Sequence, residues 1–242
     1  MGPSGPGRLA GRIALVTGAS RGLGAAVARR FAAEGAHLIL VARTQGALEE
    51  LDDEMRASGR EPPTLLALDL RQHDKIDQMG AAIHERFGRL DVLVGNAAAL
   101  GALSPMGHID PKTWDAVMAL NATANWRLIR SLDPLLCASP SGRAIFVTCA
   151  AARELRAYWG LYGASKAALD AIVRVYAAEM SNTPVRVNLI DPGPLATRLR
   201  LQAFPGEDRS KLRRTEDATD EFVALASAAE TRNGATVRAF EG

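Results

Sequence analysis

A short apolar run, Arg12-Ile13-Ala14-Leu15-Val16, leads directly into the glycine-rich segment TGASRGLG (residues 17–24) and then a helical stretch over residues 25–34. No other feature constrains the fold as tightly. An apolar run of this length bounded by turn residues reads as a buried parallel strand. Gly18, Gly22 and Gly24 let the backbone turn sharply and lie against a ligand. The helix that follows presents unpaired N–H groups and the positive end of its dipole. Strand, glycine turn and helix together form the context in which such a motif holds a phosphate-bearing group. The spacing is G-x3-G-x-G rather than the commoner G-x-G-x-x-G, so a purely structural turn is the plain alternative for this segment alone.

The same alternation continues to the end of the chain. Strands are predicted over 13–17, 37–41, 65–68, 92–94, 144–148, 185–190 and 236–239, and helices over 25–34, 47–57, 75–87, 111–136, 158–180 and 217–229. Strands spaced by helices imply right-handed βαβ crossovers. The expected fold is therefore α/β: one Rossmann-type, doubly wound parallel sheet of about seven strands with helices on both faces. Ligands of such sheets sit at the carboxyl ends of the strands, near the switch in strand order. No internal repeat or domain-scale linker interrupts the pattern, so residues 9–242 are expected to form a single domain. The Gly/Pro-rich residues 1–8 lack an apolar signal core and read as a disordered tail.

Charge and cysteine usage narrow the function classes. A net charge of +2 without a basic block argues against a nucleic-acid face. No run of eighteen apolar residues is present, so no membrane-spanning helix is expected. The two cysteines, Cys137 and Cys149, make no disulfide framework and fit a reducing, cytoplasmic compartment. His37, His73, His84 and His108 are scattered without metal-ligand spacing.

Tyr162 and Lys166 stand four residues apart in YGASK, on one face of a predicted helix. A phenol normally titrates near ~10. A nearby cation favours phenolate and lowers that value, which prepares a tyrosine to act as general acid and base on a hydroxyl or carbonyl. Alone, the pair is an ordinary helix surface; downstream of the glycine turn it gains weight. Ser165, inside the same helix, lacks a G-x-S-x-G elbow and does not suit a hydrolase nucleophile.

Taken together, TGASRGLG, YGASK, GNAA (residues 95–98), Asn121 in LNAT and DPGPLAT (residues 191–197) resemble, in order, the motifs of the short-chain dehydrogenase/reductase family. The resemblance runs from about Leu9 to the end of the chain. It implies that Tyr162 passes the substrate proton, that Lys166 lowers the tyrosine pKa and holds a nicotinamide ribose, and that Asn121 positions a water leading from the lysine to solvent; a buried asparagine satisfying backbone groups is the alternative for Asn121. It also implies cofactor contacts from Gly18, Ser20, Arg21, Gly22, Leu23, Gly24, Arg43, Asp69, Leu70, Asn96, Ala97, Pro192, Gly193, Leu195 and Thr197. Thr197 would bond the carboxamide, and Asp69 the adenine amino group; an N-cap on the next helix is the alternative for Asp69.

The choice of nicotinamide cofactor turns on the end of the second strand. Ala42 stands where NAD-specific members of the family carry an aspartate, and Arg43 follows it. With Arg21 in the glycine turn, two cations and no carboxylate favour the 2′-phosphate of NADP(H). Each arginine taken alone is an ordinary surface charge.

Two departures from the family pattern stand out. Cys149 occupies the usual serine position thirteen residues before the tyrosine, where a hydroxyl would bond the substrate oxygen. A thiol is a weak donor, and a small buried hydrophobe is its plain alternative role. Thr148 is adjacent but points to the opposite face of a strand. Gly95 and Ala98 replace the family's Asn and Gly, and alanine would be strained at position 98 if φ were positive there. The leading expectation is an NADP(H)-dependent oxidoreductase acting on a small-molecule alcohol or carbonyl. The alternative is a catalytically weak or inactive NADP(H)-binding protein of the same fold. The lid over 198–214 mixes Leu199, Leu201 and Phe204 with Arg198, Arg200, Arg209 and Arg213, and suits an apolar or an anionic substrate; a mobile loop is the plain alternative. Alanine-rich helices and the family resemblance point to a homodimer or homotetramer.

Overall fold

The glycine turn lies at the middle of a seven-stranded, all-parallel sheet. In the computed structural model, which describes residues 7–154 and 156–240, the strands are β1 (Ile13–Thr17), β2 (His37–Ala42), β3 (Thr64–Ala67), β4 (Val92–Gly95), β5 (Arg143–Val147), β6 (Arg186–Asp191) and β7 (Thr236–Arg238). They lie side by side in the order β3-β2-β1-β4-β5-β6-β7. The chain reverses its direction of build between β1 and β4, which opens a crevice above their carboxyl ends. This is the Rossmann-type sheet expected from the alternating pattern. Most of the expected tail lies outside the described residues. Its last two residues are placed: the Arg8 N–H donates to Glu34 Oε2 at 2.9 Å, and Gly7 fits against the Glu34 backbone.

Strand periodicity divides the core into two layers. Ala14, Val16, Leu38, Leu40, Val94 and Ile145 face one side, which is covered by α1 (Gly22–Ala33), α2 (Gln45–Ala57) and α9 (Thr219–Ala226). Leu15, Ile39, Val41, Leu93 and Phe146 face the other, under α3 (His73–Phe87), α5 (Ala124–Cys137) and α7 (Gly160–Glu179). Successive strand side chains alternate faces, so a sheet covered on both sides has no polar stripe to show. This is why the strands read as unbroken apolar runs.

The helix expected over 111–136 is not continuous. It begins as α4 (Pro111–Met118), capped by Asp110, whose carboxylate accepts from the Thr113 N–H at 2.9 Å. It then passes through a π-helical turn, Ala119–Thr123, before resuming as α5. π-turns inside helices frequently mark functional sites, and Asn121 sits at the centre of this one. Two short helices complete the upper rim: α6 (Ala151–Glu154) after β5, and α8 (Arg198–Ala203) in the expected lid. The helix expected over 217–229 is shorter and is preceded by a 3-10 turn, Glu216–Ala218.

At the amino-terminal rim of the sheet, Arg143 is buried and spends its guanidinium on backbone carbonyls. It donates to Gly142, Pro184, Ser227, Ala228 and Glu230 at 2.7–3.1 Å. Burial lowers its pKa to about 10. These bonds fasten the end of α9 and the segment before β6 to the start of β5. Among the described residues no helix is long and apolar enough to cross a membrane, and no group of three or more His, Cys, Asp or Glu side chains is placed to hold a metal ion.

Candidate active site

A cleft of about 1340 Å³ runs over the carboxyl ends of the strands. That exceeds the roughly 300–1,000 Å³ usual for one small ligand, and suits a long ligand with a second molecule beside it. The glycine turn forms its floor. Gly18 and Gly22 have φ of +64° and +53°, a region that glycine enters without strain. A Cβ on Gly18 would stand 2.9 Å from Asn96 Nδ2; one on Gly24 would strike the Gly18 carbonyl and come within 2.6 Å of the same amide. The turn is thus pressed onto the end of β4, and only bare backbone fits.

Thr17, a residue the sequence reading passed over, pins this arrangement. Its buried hydroxyl donates to the Val94 carbonyl at 3.1 Å and accepts from the Asn96 and Ala97 N–H groups at 2.9 and 3.1 Å. Asn96 Nδ2 returns a bond to the Thr17 carbonyl at 2.9 Å. The available signal was a threonine closing an otherwise apolar strand, since a buried hydroxyl must find partners. Ala98 does not have positive φ, so the expected strain is absent there. Gly95 is required by its neighbours: a Cβ would run into the Phe146 ring and within 2.6 Å of Asn125 Oδ1.

Ser20, Arg21, Leu23, Arg43 and Leu70 line the same end of the cleft. Arg21 and Arg43 are exposed, and neither guanidinium has a side-chain partner among the described residues. Ala42, buried at the end of β2, offers no carboxylate to either. Asp69 lies just outside the lining. It does not cap α3; it accepts from the Arg71 N–H at 3.0 Å and pairs with the Arg71 guanidinium at 2.6 Å, which holds its pKa below the usual carboxylate range. Arg71, unmentioned in the sequence reading, does line the cleft.

At the other end stand Tyr162, Lys166 and Cys149, with Pro192, Gly193, Leu195 and Thr197 facing them from the segment after β6. Tyr162 and Lys166 are almost wholly buried, at 6% and 2% exposure, yet both reach the cleft. Lys166 Nζ donates to the Val147 carbonyl at 2.8 Å and sits 5.9 Å from the Tyr162 ring centre. The expectation that the lysine depresses the phenol pKa needs correction. Burial raises Tyr162 well above the ordinary phenol value, and the neighbouring Cys149 thiol and Asp191 carboxylate add to that rise. Burial likewise lowers the Lys166 ammonium, against the pull of Cys149, Asp170 and Asp191.

Cys149 is half-buried and borders the cleft. Thr148 cannot stand in for it: its hydroxyl is committed to the buried Asp170. Asp170 in turn meets Arg153 of α6 at 3.4 Å, and Arg153 reaches Asp191 at 2.9 Å. Asp191 Oδ1 accepts from the Gly193 N–H at 3.1 Å. One arginine therefore ties the ends of β5 and β6 to the middle of α7. Thr197 accepts from the Arg200 N–H at 3.2 Å and so caps α8.

Asn121 does not line the cleft. Its side chain is fully buried, bridging the Ala99 backbone (2.9 and 2.8 Å) to the Ser165 hydroxyl (2.9 Å). Ser165 donates onward to the Tyr162 carbonyl at 2.8 Å, which leaves it no role as a nucleophile. Asn121 thus couples the π-turn to the helix that carries Tyr162. Two aromatic residues lie near the phenol: Trp159, which the sequence reading missed, and Phe204, which it named only as an apolar residue of the lid. Trp159 meets the Tyr162 ring edge-on, with centres 6.1 Å apart, and Phe204 packs on Trp159 at 5.5 Å. Tyr158, the one non-glycine residue with positive φ among those described (φ +69°), turns the chain just before this tryptophan.

Comparison with known proteins agrees with this arrangement. The family model for short chain dehydrogenases matches residues 12–208. The oxidoreductase YciK of Escherichia coli K12 is 36% identical over 216 residues, covering 88% of this chain and 85% of that protein. An oxidoreductase of Mycobacterium tuberculosis CDC 1551, named as NAD-dependent, is 34% identical over 199 residues, covering 77% of this chain and 72% of its own length. A short chain dehydrogenase of Escherichia coli CFT073, solved in complex with NADPH, superposes with a TM-score of 0.94 at 34% identity, covering 98% of this chain and all of that one. With its sheet order, glycine turn and Tyr162–Lys166 pair in one cleft, the chain belongs to the short-chain dehydrogenase family.

Proposed function

We propose that this protein is an NADP(H)-dependent oxidoreductase that interconverts an alcohol and a carbonyl compound. The observation that carries the reading is one cleft with two chemically distinct ends. One end has a glycine floor flanked by the unpaired guanidinium groups of Arg21 and Arg43; the other has the buried Tyr162 phenol beside Lys166. The floor fits a dinucleotide: Gly18 and Gly24 let the turn lie bare against the end of β4, a Cβ on Gly22 would meet only Thr197 at 3.7 Å, and the amino terminus of α1 that follows can receive a pyrophosphate on its backbone N–H groups. When bound, the nicotinamide supplies or accepts the hydride.

The remaining chemistry belongs to the protein. Tyr162, kept protonated by burial, donates its phenolic proton to a carbonyl oxygen in reduction and recovers it in oxidation. Lys166, held by the Val147 carbonyl, supplies the adjacent cation. Asn121 and Ser165 fix the helix turn that presents the phenol. Cys149 lies where a donor to the substrate oxygen is needed and offers only a thiol. That feature supports a second reading, a weakly active or inactive NADP(H)-binding protein.

Arg21 and Arg43 support NADP(H) over NAD(H), as does the NADPH bound by the Escherichia coli CFT073 relative; the mycobacterial relative's name points the other way for that protein. Titration calorimetry is expected to give tighter binding of NADPH than of NADH, and Arg43→Asp to reverse the order by adding repulsion to the lost ion pair. Equal affinities in the unmodified protein would overturn the preference. NADPH binding without turnover of any carbonyl in a broad panel would favour the second reading. We further propose that residues 9–242 act as one unit, and that both cysteines, free in the structure, serve in a reducing cytoplasmic setting. Exposed Trp126 on α5 and Val175 on α7 support self-association to a homodimer or homotetramer. Light scattering at micromolar concentration tests that assembly.

A further inference from the structure

The space beside Tyr162 is walled by Leu103, Leu120, Trp159, Leu199 and Phe204. Its aromatic part is braced by an ion pair. The Arg200 guanidinium stacks 3.9 Å over the Phe204 ring and is gripped by Glu207 in two bonds of 2.6 and 2.5 Å. Phe204 rests on Trp159, and Trp159 on Tyr162. The stack runs without a break from the acid–base group to the surface, so its rings are held in place before any substrate arrives.

Charge in this part of the cleft is largely internal. Arg200 is neutralised by Glu207, and Arg156 by Glu154 at 2.5 Å. Arg213, which from sequence alone could reach an anion, instead stacks 4.0 Å over Phe240. Arg198, which is exposed, is the one lid guanidinium lining the cleft that has no side-chain partner among the described residues. A carboxylate substrate would have to find its cation there, at the solvent edge, where attraction is screened.

We propose that the substrate is a neutral aryl ketone, or the matching secondary aryl alcohol, whose ring lies against the Trp159–Phe204 wall. This rests on reading the site as an alcohol–carbonyl oxidoreductase. In reduction the carbonyl carbon gains hydride and its oxygen gains the Tyr162 proton, a two-electron change balanced by oxidation of the reduced nicotinamide. Trp159 determines specificity by presenting a fixed ring within reach of the phenol. Pairing of aromatic rings is worth up to about tenfold in affinity beyond the area buried.

The test uses three probes on the full chain. Acetophenone and 2-octanone are neutral ketones of equal carbon number, and benzoylformate carries a carboxylate in place of the acetophenone methyl. Binding of each is measured by calorimetry on protein saturated with NADP⁺ and, in parallel, NAD⁺; turnover is measured with NADPH and NADH. We expect acetophenone to bind about tenfold more tightly than 2-octanone, and benzoylformate to bind no better than acetophenone. Trp159→Ala should collapse the acetophenone to 2-octanone ratio towards one, while Trp159→Phe should keep it. Tighter binding of benzoylformate, lost in Arg198→Ala, would overturn the proposal in favour of an anionic substrate. Equal binding of the two neutral ketones, or binding of none of the three, would overturn it as well. The expected binding order without turnover would leave the substrate assignment standing and remove the catalytic reading. Turnover with the opposite preference would do the reverse.

Discussion

Cys149 borders the cleft beside the Tyr162 phenol with a thiol where a hydroxyl would be a far better donor. Losing one well-placed donor to a developing oxyanion costs about 10²–10³ in rate. Cys149→Ser is therefore expected to raise carbonyl reduction by up to about that factor, mainly in kcat, because the bond is strongest in the transition state. Steady-state kinetics with NADPH would show it; a fall in kcat would mean that the thiol contributes positively. With Tyr162 as the proposed acid–base group, its raised pKa is expected to set the pH dependence. Reduction needs the protonated phenol, which burial preserves above the ordinary phenol value, so its rate should stay flat through neutral and mildly alkaline pH. Oxidation needs the phenolate, which is scarce below that raised value, so its rate should climb about tenfold per pH unit over the same interval. Rate profiles measured in both directions, with Tyr162→Phe as the inactive control, check the sign. At this scale the sequence singled out Tyr162, Lys166 and Cys149 by their spacing and order, and the structure brings all three to one cleft. It missed Trp159, named Phe204 only as an apolar residue of the lid, and gave Thr17 no part beyond opening the glycine motif. Their roles depend on where the chain turns at Tyr158 and on which hydroxyl finds partners inside the sheet.

The element that most changes the account of the site is the π-turn at Ala119–Thr123. An apolar pattern over 111–136 reads as one helix, because one extra residue in a turn barely shifts a period of 3.6. The insertion is visible only once Asn121 is seen reaching across to Ala99 and Ser165. Strand ends were easier to place from sequence, most strands starting within two residues of a glycine or proline, and the differences there are single residues. β4 offers a test of how closely these elements fit. Its last residue, Gly95, packs against Phe146 of β5 and Asn125 of α5. Gly95→Asn, which restores the usual family residue, is expected to destabilise this chain by about 1–3 kcal/mol through overpacking. Chemical denaturation would report it. Changing Phe146 to a smaller residue in the same chain should recover part of the loss, as coupled neighbours do.

Across the whole molecule, every strand points the same way, and this separates the two rims of the sheet. The carboxyl rim bears the cleft; the opposite rim bears Arg143 and its five carbonyls. Arg143→Met is expected to lower stability by about 3 kcal/mol, because buried carbonyls lose their donor. It should leave NADPH affinity unchanged, a pairing that thermal unfolding and calorimetry can check together. Arg143→Lys, with fewer donors and no planar fork, should restore only part. The parallel, doubly covered sheet followed from the alternation of elements, whereas the Arg143 cluster did not, because an arginine opening an apolar strand looks like an ordinary surface charge until two distant segments, at Pro184 and at Ser227–Glu230, close around it. For anyone wishing to redesign the protein, this geometry has a practical meaning. Alterations at opposite rims are far enough apart to combine additively. A chain first toughened around Arg143 could then accept bolder substitutions in the loops around Trp159 and Phe204, and one scaffold could be retrained for new reactants without being rebuilt.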